Sequence, residues 1–180
     1  LRMKRWSGLK KGSKSGKGGK KEWLGSIMED ESIFVYDSVI RYVWAFRGSR
    51  PFILTTGSHR RTCVFGAVSL EGKQLFRQYP KVNGRNFLAH LKMLKQKFGK
   101  MLLFLDRSRA HRNEEVKRWL KANRKAVKEV VSHRQTGLNP VEECWNLLKD
   151  ELVANRLYCT FEEMKWAISK LPQAKACGVF

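Results

Sequence analysis

A chain of 180 residues is long enough for one domain with a real core and too short for two comfortable ones. Its 37 Lys and Arg against 16 Asp and Glu give a net charge of +21, a field that attracts polyanions, nucleic acid foremost. No apolar run approaches the ~20 residues that cross a bilayer, and the basic N-terminus lacks the apolar segment of a secretory signal, so a membrane protein is excluded and a cytoplasmic one expected. The four cysteines (Cys63, Cys144, Cys159, Cys177) form no C-x-x-C pair and no zinc spacing with the four histidines, which points to reduced structural thiols.

Residues 1–21 hold nine Lys and Arg, five Gly, three Ser and no acid, and read as a flexible basic arm. Without those nine charges, residues 22–180 still carry +12, so the folded part is basic in its own right. From Trp23 onward, "WLGSIMEDESIFVYD" predicts a strand ending near Asp30, with a short continuation from Ile33 to Tyr36. "YVWAF" (Tyr42 to Phe46) is rich in β-formers and precedes the turn "RGSRP". "RTCVFGAVSL" predicts an apolar strand, and "EGKQLFRQY" its hairpin partner across Glu71-Gly72. Apolar residues at 87, 88, 91, 94 and 98 give "NFLAHLKMLKQKF" a helical period. "MLLFL" (Met101 to Leu105) has the two-faced apolarity of a central parallel strand. A helix with Val116, Trp119 and Leu120 on one face, a short strand "AVKEVV", and two helices, "NPVEECWNLLKDEL" and "TFEEMKWAISKL", complete the order. Strands that first meander and then cross over through helices give an α/β fold. It is a mixed sheet, antiparallel meander plus parallel strands, flanked by helices: the ribonuclease H-like topology.

Of the four aspartates (Asp30, Asp37, Asp106, Asp150), two stand where strands are expected to end, Asp30 and Asp106. In sheets with crossovers, ligands bind beyond the carboxyl ends of strands. Carboxylates gathered there repel one another unless a hard cation such as Mg²⁺ is shared. On the helix opened by Asn139 and Pro140, Val141, Cys144, Trp145, Leu148 and Leu152 form the packed stripe. Glu142 then borders that stripe and Glu143 faces water. Each acid also has a plainer reading. Asp106 could cap the following helix, Asp30 could belong to a solvated acidic turn, and Glu142 could close a capping box with Asn139.

"EDESIF", "RTCVFGAVSLEGKQLFRQYPKVNGRNFLAHLKML", "LLFLD" followed by "AHR", and "LNPVEECWNLLK" together resemble, in order, the catalytic domain of Tc/mariner-superfamily transposases. The likeness is greatest to the insertion-sequence transposases described as DDE superfamily endonucleases, and it runs from about Glu29 to Ile168. It implies that Asp30, Asp106 and Glu142 bind metal, with 35 residues between the last two. It also implies two ions, Mg²⁺ or Mn²⁺, and cleavage and strand transfer of DNA phosphodiesters, with transposon ends and target DNA as partners and room for a homodimer. Arg60, Arg61, Arg107, Arg109 and Arg112 are the candidate holders of the phosphate backbone. The sequence departs from the family in "DRSRAH", where D-N-A-P-A-H is usual. It departs again in "SHRQTG" (Ser132 to Gly137), where a Pro-Tyr-Ser-Pro run is usual. The family's helix-turn-helix region is absent ahead of the domain 22–180. Two other readings follow: a truncated or decayed transposase that binds DNA without cutting it, and a basic nucleic-acid-binding structural protein whose three acids do not converge.

Overall fold

A computed structural model describes residues 25–131 and 139–174; the expected basic arm and the loop Ser132 to Gly137 lie outside them. The elements run β1 (Gly25–Val35), β2 (Arg61–Ser69), β3 (Gln74–Tyr79), α1 (Gly84–Phe98) and β4 (Met101–Leu105). A 3₁₀ turn (Ala110–Arg112), α2 (Glu114–Ala122), β5 (Val127–Val131), α3 (Pro140–Leu152) and α4 (Phe161–Ala174) follow. The five strands form one sheet in the order β3-β2-β1-β4-β5, with β1, β2 and β3 antiparallel and β4 and β5 parallel to β1. This is the mixed topology the sequence predicts.

Two apolar layers close the sheet. On one face Ile27, Phe65 and Leu103 pack with Phe87, Leu91 and Leu94 of α1 and Val116 and Leu120 of α2. On the other, Phe34, Val64 and Phe76 pack with Val141, Cys144 and Trp145 of α3 and Met164 and Ile168 of α4. The stripe expected on α3 is therefore the one it buries. Asn139 caps that helix through its side chain, which accepts from the Val141 amide at 3.0 Å, and Pro140 opens it.

Two expectations are overturned. The first strand does not end near Asp30: β1 is one unbroken strand of 11 residues, paired with β2 from Ile27↔Ser69 to Val35↔Arg61. What stops there is its other neighbour, because the parallel ladder to β4 covers only Gly25↔Met101 to Met28↔Phe104. Nor is "YVWAF" a strand. Tyr42, Trp44 and Phe46 are exposed in irregular chain, since β-propensity needs a neighbouring strand to pack against and none is offered there. The long connection between β1 and β2 is instead pinned at its base. The Asp37 carboxylate accepts from the amides of Ser38 (3.1 Å), Thr56 (2.8 Å) and Gly57 (2.9 Å). Among the described residues no helix is long and apolar enough to cross a membrane.

Candidate functional site

β1 overruns β4, and that overhang builds the site. Extending the β1–β4 register by two residues sets Asp30 beside Asp106, the first residue after β4. The carboxylate oxygens of Asp30, Glu31 and Asp106 lie within 4.8 Å of one another, and all three residues are part-buried. Asp30 faces α3, where the Trp145 indole N–H donates to its Oδ2 at 3.1 Å. The indole reaches that far because Asp30 is paired with Gly66 of β2. A Cβ at Gly66 would stand 2.6 Å from Trp145 Cη2 and 2.7 Å from Phe76 Cε1. Burial, with the Glu31 and Asp106 charges, pushes the Asp30 carboxyl up to about 6 against the pull of its hydrogen bonds.

Asp106 caps neither following helix. Its Oδ1 accepts from the Ser108 amide at 2.8 Å, a local turn, while α2 is capped by Asn113, whose side chain accepts from the Glu115 amide. The same Oδ1 lies 3.2 Å from His111 Nδ1, and that nitrogen is also 3.1 Å from the Asp106 carbonyl. The His111 hydrogen bond, foremost, holds the Asp106 carboxyl below its ordinary value. Across the ring, His111 Nε2 meets Glu31 Oε1 at 3.0 Å and Glu29 Oε2 at 3.8 Å. Burial alone would lower the imidazole. Its hydrogen bonds to Asp106 and Glu31 and the charges of Glu29 and Glu31 push it up to about 10, so without a bound metal ion His111 is the cation beside Asp106.

Glu29 lies on the opposite face of β1 from Asp30 and is fully buried, with Oε1 3.9 Å from the Nε2 of His90 on α1. Burial first, then the Glu31 charge, raises its carboxyl well above the ordinary value. Burial also pushes His90 down to about 3, so its imidazole is held neutral.

The third expected acid stands apart from this group. Glu142 is exposed in the first turn of α3, three residues before Trp145, on the neighbouring surface one turn nearer the helix start. Glu143 is exposed as well. Arg107, Arg109 and Arg112 are exposed on the segment that follows Asp106, where Arg112 donates to the Arg107 carbonyl at 3.2 Å. Arg61 opens β2 opposite Val35, at the same end of the sheet. Arg60 lies over the Phe161 ring at 4.2 Å, with Glu162 3.4 Å away. Sequence reasoning passed over Glu31, Glu29, His111 and Trp145. Two signals carried them: strand alternation, which separates Glu29 and Glu31 from Asp30, and the "AHR" that follows "LLFLD".

A family model described as DDE superfamily endonuclease matches residues 26–165. Among solved structures, the chain is similar to the Mos1 transposase paired-end complex with left transposon end. The TM-score is 0.61 at 14% identity, over 83% of this chain and 48% of that one. The mariner Mos1 paired end complex with Mg matches with TM-score 0.60 at 16% identity, over 84% of this chain and 48% of that one. The catalytic core domain of BIV integrase matches with TM-score 0.52 at 13% identity, over 83% and 84%. No curated protein sequence gives a match. At such identities the structural likeness speaks for the fold, a ribonuclease H-like core, and the chain spans about half the length of the Mos1 chains. The family model spans more than half of the chain, and the chain belongs to the DDE superfamily endonucleases.

Proposed function

We propose that this chain is the catalytic domain of a DNA transposase, cutting phosphodiester bonds at element ends and joining the freed 3′-hydroxyl to target DNA. The meeting of Asp30, Glu31 and Asp106 carries this reading. Carboxylates at that separation repel, and burial works further against ionised Asp30, so a shared divalent cation relieves both strains. The donors are all carboxylate oxygens on part-buried side chains, a set suited to Mg²⁺ or Mn²⁺. Two such ions, when bound, would supply an activated nucleophile and charge neutralisation at the scissile phosphate.

The protein's own part is positional. Trp145 fixes one oxygen of Asp30, and His111 with the Ser108 amide fixes one oxygen of Asp106. Glu142, one turn before Trp145, is the third ligand, brought in from the first turn of α3. Arg61, Arg107, Arg109 and Arg112 sit at the same end of the sheet, and with Arg60 they hold the phosphate backbone without reading sequence. The partners are element-end and target DNA, with two copies of this chain pairing on them.

A second reading, DNA binding without cleavage, is favoured by one observation: the His111 cation already engages Asp106 while Glu142 stands outside the acid cluster. Incubating the protein with element-end DNA and Mg²⁺ or Mn²⁺ separates the two. Cleavage is expected, falling at least ~100-fold in Asp106→Ala and Glu142→Gln but not in Glu143→Gln, with DNA affinity kept. Metal-independent nicking, or none while binding persists, defeats the nuclease reading.

A further inference from the structure

On the face of β1 away from Asp30, four titratable side chains meet. Glu29 and His90 have side chains that are 0% exposed, and among the described residues both oxygens of Glu29 and both ring nitrogens of His90 lack a hydrogen-bond partner. Such groups are expensive to bury unpaired, and an ion or water is the usual remedy. The Glu29 carboxylate is aimed in two directions, Oε2 toward His111 Nε2 at 3.8 Å and Oε1 toward His90 Nε2 at 3.9 Å. Glu31 Oε1 approaches the same His111 nitrogen at 3.0 Å, and one ligand atom from each of Glu29, Glu31 and His111 lies within 4.8 Å of the others.

We infer that Glu29, Glu31 and His111 form a second metal site, sharing Glu31 with the Asp30–Asp106 cluster and suited to a borderline transition metal, Zn²⁺ foremost. Metal–ligand bonds of about 2.0–2.1 Å in tetrahedral array put neighbouring ligand atoms about 3.3–3.4 Å apart, and the observed 3.0 and 3.8 Å bracket that edge. One imidazole nitrogen and two carboxylates are zinc donors, and the fourth position is left for water. The surroundings match such a centre. His111 turns its other nitrogen to Asp106, as a metal-bound histidine turns its ring N–H to a carboxylate. His90, wedged between Phe65 and Tyr79, is poised to donate to the oxygen of Glu29 that does not face the ion. The contact between His111 and Glu31 leaves Glu29 Oε2 without a partner at 3.8 Å, and a metal ion between the three residues supplies one.

The test does not depend on DNA cleavage. Asp30→Asn, which disarms the first cluster and leaves these residues in place, is purified without chelator and its metal content measured. About one equivalent of Zn²⁺ per chain is expected. After stripping, Co²⁺ should give the intense visible bands of a four-coordinate ion, and Zn²⁺ at a hundredfold excess over its dissociation constant should raise Tm by about 5–10 °C. Glu29→Gln in the same background, folded by circular dichroism, should lose the equivalent, the bands and the shift. Absence of all three in Asp30→Asn overturns the inference, as does a folded Glu29→Gln that keeps them. Should Glu29→Gln not fold, the Co²⁺ spectrum of Asp30→Asn decides alone: six-coordinate, weakly coloured Co²⁺ rejects the site. Zinc signals intact in a chain whose unsubstituted form does not cut element-end DNA with Mg²⁺ or Mn²⁺ would refute only the proposed function.

Discussion

Trp145 ties the packing of the protein to its chemistry in one side chain. It is buried among Phe34, Phe76 and the residues of α3, yet its indole N–H ends on Asp30, so the core itself orients a candidate ligand. Trp145→Phe keeps most of the apolar contact and removes the donor. It should cost about 1 kcal/mol in denaturant unfolding and lower metal-dependent cleavage roughly 10- to 100-fold, the usual range for a residue that orients a ligand. Unchanged cleavage in that variant would show that Asp30 is oriented by its backbone alone. Aspartate and tryptophan were both legible as residues in the sequence. Their meeting was not, because it spans 115 positions and depends on a glycine of the neighbouring strand.

At the level of elements, β2 yields space where α3 needs it. Gly66 lies mid-strand with Trp145 and Phe76 pressed against its Cα, and an added methyl must displace one of them. Gly66→Ala is expected to cost about 1–3 kcal/mol and to weaken cleavage along with stability, because the displaced ring is the one that holds Asp30. The connection between β1 and β2 rests on Asp37 in a different way. The Thr56 amide, foremost, holds its carboxyl below the ordinary 3.8, with Ser38 and Gly57 adding to it. A depressed carboxylate stabilises fully above its unfolded value, and the contribution fades as pH falls through the folded one. Limited proteolysis between Tyr42 and Phe52 should therefore accelerate in acid, and at neutral pH in Asp37→Ala, while the sheet stays intact. Hydrophobic period placed the helices and most strands correctly, since those segments bury one stripe or both faces. It failed at "YVWAF", where the residues suit a strand and the chain supplies no neighbour, and at Asp30, where the end of β4 was mistaken for the end of β1.

For the whole molecule the governing quantity is charge. Residues 22–180 keep +12 without the arm, and Arg61, Arg107, Arg109 and Arg112 lie at the end of the sheet that holds the acids, a charge pattern that draws polyanions toward a negative centre. DNA affinity should fall steeply with salt, and the slope of log K against log [salt] should shrink by about 3 in Arg107→Ala, Arg109→Ala, Arg112→Ala combined. A slope unchanged by the triple substitution would move the DNA path elsewhere. Composition announced the polyanion and the motifs announced the acids. That Glu142 stands outside the cluster of acids was not legible, because helical spacing sets the face of a residue and not its distance from a neighbouring strand.

Because Glu29, Asp30 and Glu31 follow one another along a strand, the identity of this site is a matter of parity. A strand side chain changes face with every residue, so one inserted or deleted residue upstream in β1 would send Asp30 into the pocket of His90 and turn Glu29 or Glu31 toward Trp145. Every residue type needed would still be present, and each would face the wrong way. Such a chain can vary β1 letter by letter but not in its length, whereas the exposed stretch from Tyr42 to Phe52, between the Val39–Ala154 bridge and the Asp37 contacts to Thr56 and Gly57, has no strand register to keep.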